Sequence, residues 1–311
     1  MEVKKVQEVK GSYYVYLPKS WCKKYIFNVG DKNKNKIKSE NLREVQLKVN
    51  ADDSISILPR AHQFSDKLRL YLKINESINE ESCLNSLLAA YIVGVDWIEL
   101  ESNYKFSLTF RDKIAQLLKS LIGFEITEET GTKIIIKEVS TTLELDGMMG
   151  QLLAKVGLLL TYVADIMHNL NKKDAKIVIS QDDEIDKFRY SIERQVHQIL
   201  RQPYLAQKLK ITSIECLHFS QCTKYLERIA DHCVGIANFI VEGKSPSPSL
   251  LKNYEEVRDL YRQLHKNFNP VDVDANYNII SQHLQIIKNL EKIELEESKN
   301  KLFALPLKRI C

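Results

Sequence analysis

Two pairs of carboxylates in this 311-residue chain have a spacing that chemistry can use. Asp182 and Asp186 lie in Gln181-Asp182-Asp183-Glu184-Ile185-Asp186, and Glu227 and Asp231 lie in Tyr225-Leu226-Glu227-Arg228-Ile229-Ala230-Asp231-His232. On a helix, positions i and i+4 share a face, so each pair aims two carboxylates in one direction. Like charges at that spacing repel unless a cation sits between them. Oxygen-only pairs from two helices suit a hard ion such as Mg²⁺, Mn²⁺, Ca²⁺ or iron. The competing reading is a solvated acidic face. Glu255 with Asp259 has the same spacing but no flanking motif, and there the solvated reading stands alone.

Other chemistry has less to build on. The six cysteines, Cys22, Cys83, Cys216, Cys222, Cys233 and Cys311, contain no C-x-x-C pair. They read as reduced thiols packed as small hydrophobes, although Cys216, Cys222 and Cys233 share a helical neighbourhood. No G-x-S-x-G or H-E-x-x-H run occurs, and no glycine-rich loop joins a strand to a helix. The chain is not expected to be an enzyme.

The elements that must hold the acidic pairs are helices. From Leu143 to about Lys301 the apolar period predicts helices at Leu143–Asn171, Gln181–Leu200, Ala206–Glu242, Ser249–Phe268 and Asp274–Ser298. Breaks at Asn171 to Asp174, Gln202-Pro203, Gly243 to Pro248 and Asn269-Pro270 separate them. Long helices with short connections predict an antiparallel bundle over 141–311. Residues 61–140 alternate strands and helices: a strand at 68–74, a helix at 80–93, a strand at 97–101, a helix at 110–122 and a hairpin around Gly131. That rhythm predicts a small α/β layer. The longest unbroken apolar run, Leu87 to Val95, is nine residues, so no membrane insertion is expected. With no secretory signal at Met1 to Lys10, a cytoplasmic location is the expectation.

Charge singles out the front of the chain. Residues 1–60 hold 13 basic and 7 acidic residues, a net +6, whereas the other 251 residues are at −2. Short alternating runs predict strands there, with a turn at Gly11-Ser12, a short helix opened by Pro18, and a hairpin between Glu44 and Leu58. A basic patch of this kind suits nucleic-acid phosphates, and Lys4, Lys5, Lys10, Lys19, Lys23 and Lys24 are the candidate contacts. Solvation of a basic loop is the plainer alternative. A unit of 60 residues buries little core alone, so homodimerisation is expected, with Val6, Val15, Leu17, Ile26 and Val29 inside.

The run Lys224-Tyr225-Leu226-Glu227-Arg228-Ile229-Ala230-Asp231-His232-Cys233-Val234-Gly235-Ile236-Ala237 closely resembles the signature helix of the PhoU family of phosphate-uptake regulators. Asp182 to Phe188 resembles that family's other acidic motif, one helix earlier. The resemblance implies a bundle of three-helix repeats, a role in phosphate homeostasis, and Asp182, Asp186, Glu227 and Asp231 as ligands for a divalent metal cofactor (iron, manganese, magnesium or zinc). His232 belongs to the signature, either with a role there or simply facing solvent. The front, Val6 to Asp31 with Leu17-Pro18-Lys19 and Gly30-Asp31, resembles the SpoVT/AbrB swapped-hairpin fold, whose members interdigitate two chains into a barrel and often bind DNA.

Together the fold class implied is α+β and multidomain: a swapped-hairpin β-barrel at 1–60, the α/β layer at 61–140 and the PhoU-like bundle at 141–311. The whole is similar to archaeal PhoU-like regulators. Two departures stand out. Lys32 to Lys38 reads as a loop where an apolar strand is usual, and the second helical repeat looks one helix short after Ser298. Two functions follow. One is a DNA-binding regulator responsive to phosphate; the other is an adaptor that docks on a phosphate transporter component or a signalling kinase.

Overall fold

The computed structural model describes residues 4–23, 45–49, 54–59, 68–75, 80–139, 144–268, 272–296 and 301–311. The chain divides into two compact units, Met1–Asp66 and Lys67–Cys311.

The first unit contains two separate antiparallel hairpins. β1 (Gln7–Val9) pairs with β2 (Ser12–Tyr14) in one, and β3 (Val45–Val49) pairs with β4 (Ile55–Pro59) in the other. The first turn sits at Lys10-Gly11, one residue earlier than the sequence suggests. Both residues have positive φ, 51° and 76°, which matches the twist of the flanking strands. Pro18 precedes the four-residue α1 (Lys19–Cys22). In the single chain the described strands of this unit make two open two-stranded sheets, and the barrel expected of two interdigitated chains would need a second copy's hairpins. The physical reason is strand number, since one chain's short hairpins cannot close a sheet on itself. Val6, Tyr13, Tyr16, Leu47, Val49 and Ile55 all remain more than 60% exposed. Val15 is exposed too, and Leu17 is half-buried, while Ile26 and Val29 lie outside the described residues.

The second unit begins with a four-stranded sheet ordered β5-β6-β8-β7. β5 (Arg69–Ile74) and β6 (Trp97–Ser102) are parallel, joined through α2 (Glu80–Ile92). After α3 (Leu108–Lys119), the hairpin of β7 (Phe124–Glu129) and β8 (Lys133–Glu138) completes the sheet antiparallel to β6. Ile98, Leu100, Ile134 and Ile136 from the sheet pack with Leu87, Tyr91, Phe110 and Ile114 from the helices. A helix-on-sheet layer of this kind buries one face of each element.

The bundle follows as α4 (Leu145–Asn169), α5 (Lys172–Ser180), α6 (Asp182–Arg201), α7 (Pro203–Leu209), α8 (Ser213–Val241), α9 (Pro248–Lys266), α10 (Val273–Glu296) and α11 (Lys301–Ile310). α4 is its axis, with twelve residues buried from Leu145 to Met167. By length and composition α4 could cross a membrane, which a search for unbroken apolar runs misses because Lys155 and Asp165 interrupt it. Half of its most apolar window is buried inside the bundle.

Three boundaries differ from the sequence reading. Residues 172–180 form a helix of their own, capped by the Asn171 side chain, which accepts from the Lys173 and Asp174 amides. The helix expected from Ala206 is broken at Lys210, where φ is +54°, and restarts under a capping box between Thr212 and Glu215. Finally, a last helix is present as the ten-residue α11, whose Phe303 and Leu307 join the core.

One buried cation ties the layer to the bundle. Arg194 of α6 is fully buried. Its guanidinium donates to the carbonyls of Tyr91 at 2.9 Å and Val95 at 2.8 Å, and to Glu138 Oε2 at 3.0 Å. The rings of Tyr91 and Phe124 flank it at 5.0 and 4.7 Å. Nearby, Arg201 donates to the carbonyls of Val93 and Gly94. Gly94 has φ +83°, which favours glycine, and a Cβ there would meet the Gln198 side chain at 3.0 Å and push it aside.

Candidate functional site

The acidic pairs meet where α6 and α8 pack side by side. α6 opens with Asp182, Asp183 and Glu184 in its first turn, where the helix dipole favours negative charge. α8 carries Glu227 and Asp231 near its middle. Burial and then the charges of Asp186, Asp231, Asp183 and Glu227 push the Asp182 carboxyl up to about 6. Glu227 is also raised, first by burial and then by Asp231 and Asp186, with Arg189 opposing. The four sequence-predicted ligands therefore feel one another's charge across one volume of the α6–α8 interface, without converging on a single point.

That volume already holds a cation. Arg189 Nε lies 3.1 Å from Asp186 Oδ1 and 3.5 Å from Glu227 Oε1, bridging the two helices. Its Nη1 is 3.9 Å from Glu193 Oε2. Tyr190 donates its hydroxyl to the other Asp186 oxygen, Oδ2, at 2.9 Å, so both oxygens of Asp186 are engaged. Burial followed by the Asp186 charge pushes the Tyr190 phenol up to about 12. Arg189 stays charged: burial opposes its charge, but Asp186 and Glu227 outweigh that and hold it above the ordinary guanidinium range.

Sequence reasoning misses Arg189, Tyr190 and Glu193. A signal was there to be read, because Asp186, Arg189/Tyr190 and Glu193 fall at i, i+3/i+4 and i+7, one face of α6.

A divalent ion needs carboxylate oxygens at about 2.0–2.6 Å, converging on one point. With Arg189 bridging Asp186 and Glu227, the side chains do not fit such an ion. Among the described residues no three His, Cys, Asp or Glu side chains are grouped closely enough to hold one. His232 does not face solvent as the plain alternative has it: it is half-buried, with Nε2 buried and without a hydrogen bond. Its imidazole is lowered by burial and then by Arg309. Cys216 and Cys233 are fully buried free thiols, and burial pushes Cys233 up to about 12, far from thiolate chemistry. Glu255 lies 2.9 Å from His168 Nε2, and Asp259 forms an exposed ion pair with Arg262 at 2.9 Å.

These motifs sit inside a recognisable segment. Residues 149–240 match the PhoU domain family. The PhoU domain thus spans most of α4 and runs through α8, and it contains the whole acidic cluster. Among solved structures, the chain is similar to the phosphate transport system regulatory protein PhoU from Streptococcus pneumoniae. That similarity is 17% identity over 54% of this chain and 86% of the other, with a TM-score of 0.43. None of the curated proteins matches the sequence.

Of the sequence-predicted DNA contacts in the first unit, Lys4, Lys5, Lys10, Lys19 and Lys23 are exposed, with Lys10 at the tip of the β1–β2 turn. Lys24 lies outside the described residues, as does the Lys32 to Lys38 run.

Proposed function

We propose that this protein is a cytoplasmic regulator of phosphate uptake and homeostasis that binds DNA through its first unit and responds through its PhoU domain. The observation that carries the reading is the PhoU domain match at residues 149–240, which encloses the α6–α8 acidic cluster. The basic first unit supports the DNA arm. Its net charge of +6 over residues 1–60, with five of the six candidate lysines exposed, suits contact with phosphates.

Dimerisation through that unit belongs to the same proposal. Its described apolar side chains join neither of the two hydrophobic cores, and a second copy's hairpins would cover them. The same apolar exposure favours the adaptor reading, in which the first unit only dimerises and the PhoU domain docks on a transporter component or kinase. The two readings separate in one experiment. Electrophoretic shifts on the source organism's phosphate-gene promoters should be seen with the full chain and lost when residues 1–66 are removed. Affinity should fall with salt at a slope of about −0.9 per neutralised phosphate. Equal binding by both proteins defeats the DNA reading, and binding by neither moves the function to the adaptor.

A further inference from the structure

We propose that Arg189 is the resident cation of the acidic cluster: its guanidinium takes the bridging position between α6 and α8, and a hard divalent ion enters only when that side chain is removed. Three observations carry this. First, the guanidinium is at hydrogen-bond distance from Asp186 of its own helix and within ion-pair range of Glu227 across the interface. It therefore does what a bridging metal would do for the repulsion between the two helices. Second, both oxygens of Asp186 already have a donor, Arg189 at Oδ1 and the Tyr190 hydroxyl at Oδ2. An ion bound to Asp186 would have to share an oxygen with one of these donors and lie against the Arg189 charge.

Third, Arg189 is held in place rather than resting on a surface. The Tyr190 ring lies 4.4 Å from the guanidinium carbon, and four-fifths of the arginine side chain is buried. Glu193 closes the far side. It is 9% exposed, its Oε1 is buried without a hydrogen-bond partner, and its Oε2 faces Arg189 at 3.9 Å. A buried carboxylate oxygen left without a hydrogen bond is an unsatisfied acceptor that a smaller, more highly charged ion could take as a ligand. The cluster is thus one side chain away from an oxygen-rich cation site. An arginine serves here because its delocalised charge lies between carboxylates of both helices, with Nε nearest Asp186 and Glu227 and Nη1 toward Glu193.

The test is Mn²⁺ titration of the full-length protein, read by calorimetry and by thermal unfolding. The parent should show no saturable binding and a flat melting temperature at millimolar Mn²⁺. Arg189→Met should bind Mn²⁺ saturably and gain about 5 °C at a hundredfold excess over Kd. Adding Asp231→Ala to that variant should abolish the gain. Stoichiometric Mn²⁺ binding by the parent overturns the proposal, and so does a folded Arg189→Met that binds none. If Arg189→Met fails to fold, Arg189→Lys decides. A folded lysine variant without Mn²⁺ uptake supports a resident cation, whereas its failure to fold, or its binding of Mn²⁺, refutes it.

Discussion

The two units of this chain solve the same problem in opposite ways. In Lys67–Cys311 the apolar side chains of α4 sit in a bundle core, and Arg194 ties that bundle to a sheet-and-helix layer. In Met1–Asp66 the hairpin side chains Leu47, Val49 and Ile55 stay largely exposed on strands that do not close. The lesson is about where stability comes from. Burial in the bundle is supplied by one chain, because helices of 19 to 29 residues such as α4, α8 and α9 can cover each other's apolar stripes. Three- to five-residue strands cannot do this without more strands.

The largest effect that would break this contrast comes from its best-buried charge. Arg194→Met should destabilise the second unit by about 3–5 kcal/mol in chemical denaturation, because Glu138 and two backbone carbonyls lose their buried partner. A loss under about 1 kcal/mol would mean that the layer and the bundle do not depend on this contact. A smaller effect, and one confined to the other unit, is expected from Leu47→Ser with Val49→Ser. If the first unit dimerises as proposed, light scattering should show association weakened at least about tenfold, while the unfolding free energy of the second unit changes by less than about 0.5 kcal/mol. An unchanged oligomer would show that these side chains face something other than a second copy.

The smallest effect tests the acidic cluster. The Asp182 carboxyl is about 6 in the fold against an ordinary 3.8, so the native state holds that proton more tightly than the unfolded chain does. Its stabilising contribution is complete below about pH 3.8 and is lost as pH rises through about 6. Asp182→Asn should therefore gain on the parent by about 1–2 °C in melting temperature between pH 4 and pH 7, screening having reduced the effect at this half-exposed side chain. A difference that does not change with pH would place Asp182 away from the other carboxylates.

Much of the second unit was legible before any coordinates. The strand–helix rhythm of residues 68–138 follows from local alternation and period, and the observed sheet and helices lie within a few residues of it. Helix interruptions were harder. The break at Lys210 requires a left-handed residue that is neither Gly nor Asn, so no residue type announced it, and the Thr212–Glu215 box that restarts α8 sits inside an otherwise helical pattern. α11 has Pro306 in its middle, which argues against a helix locally, yet Phe303 and Leu307 are buried in the core and tertiary packing overrides the propensity.

What the sequence determined by itself was the content of each face: which residues of α6 and α8 are acidic, that each pair points one way, and that the basic charge gathers in the first 60 residues. Those are properties of spacing along a single element. Tertiary structure alone decided that Asp182 comes within range of the Asp231 and Glu227 charges, that Arg189 reaches from one helix to the other, and that Arg194, five residues further along α6, turns inward to the sheet. The reason is that residues five apart on a helix point about 140° away from each other, so two arginines of one helix can meet different partners. Which partners they meet depends on the register and rotation of packed helices, and these are set by core packing rather than by the charged residues themselves.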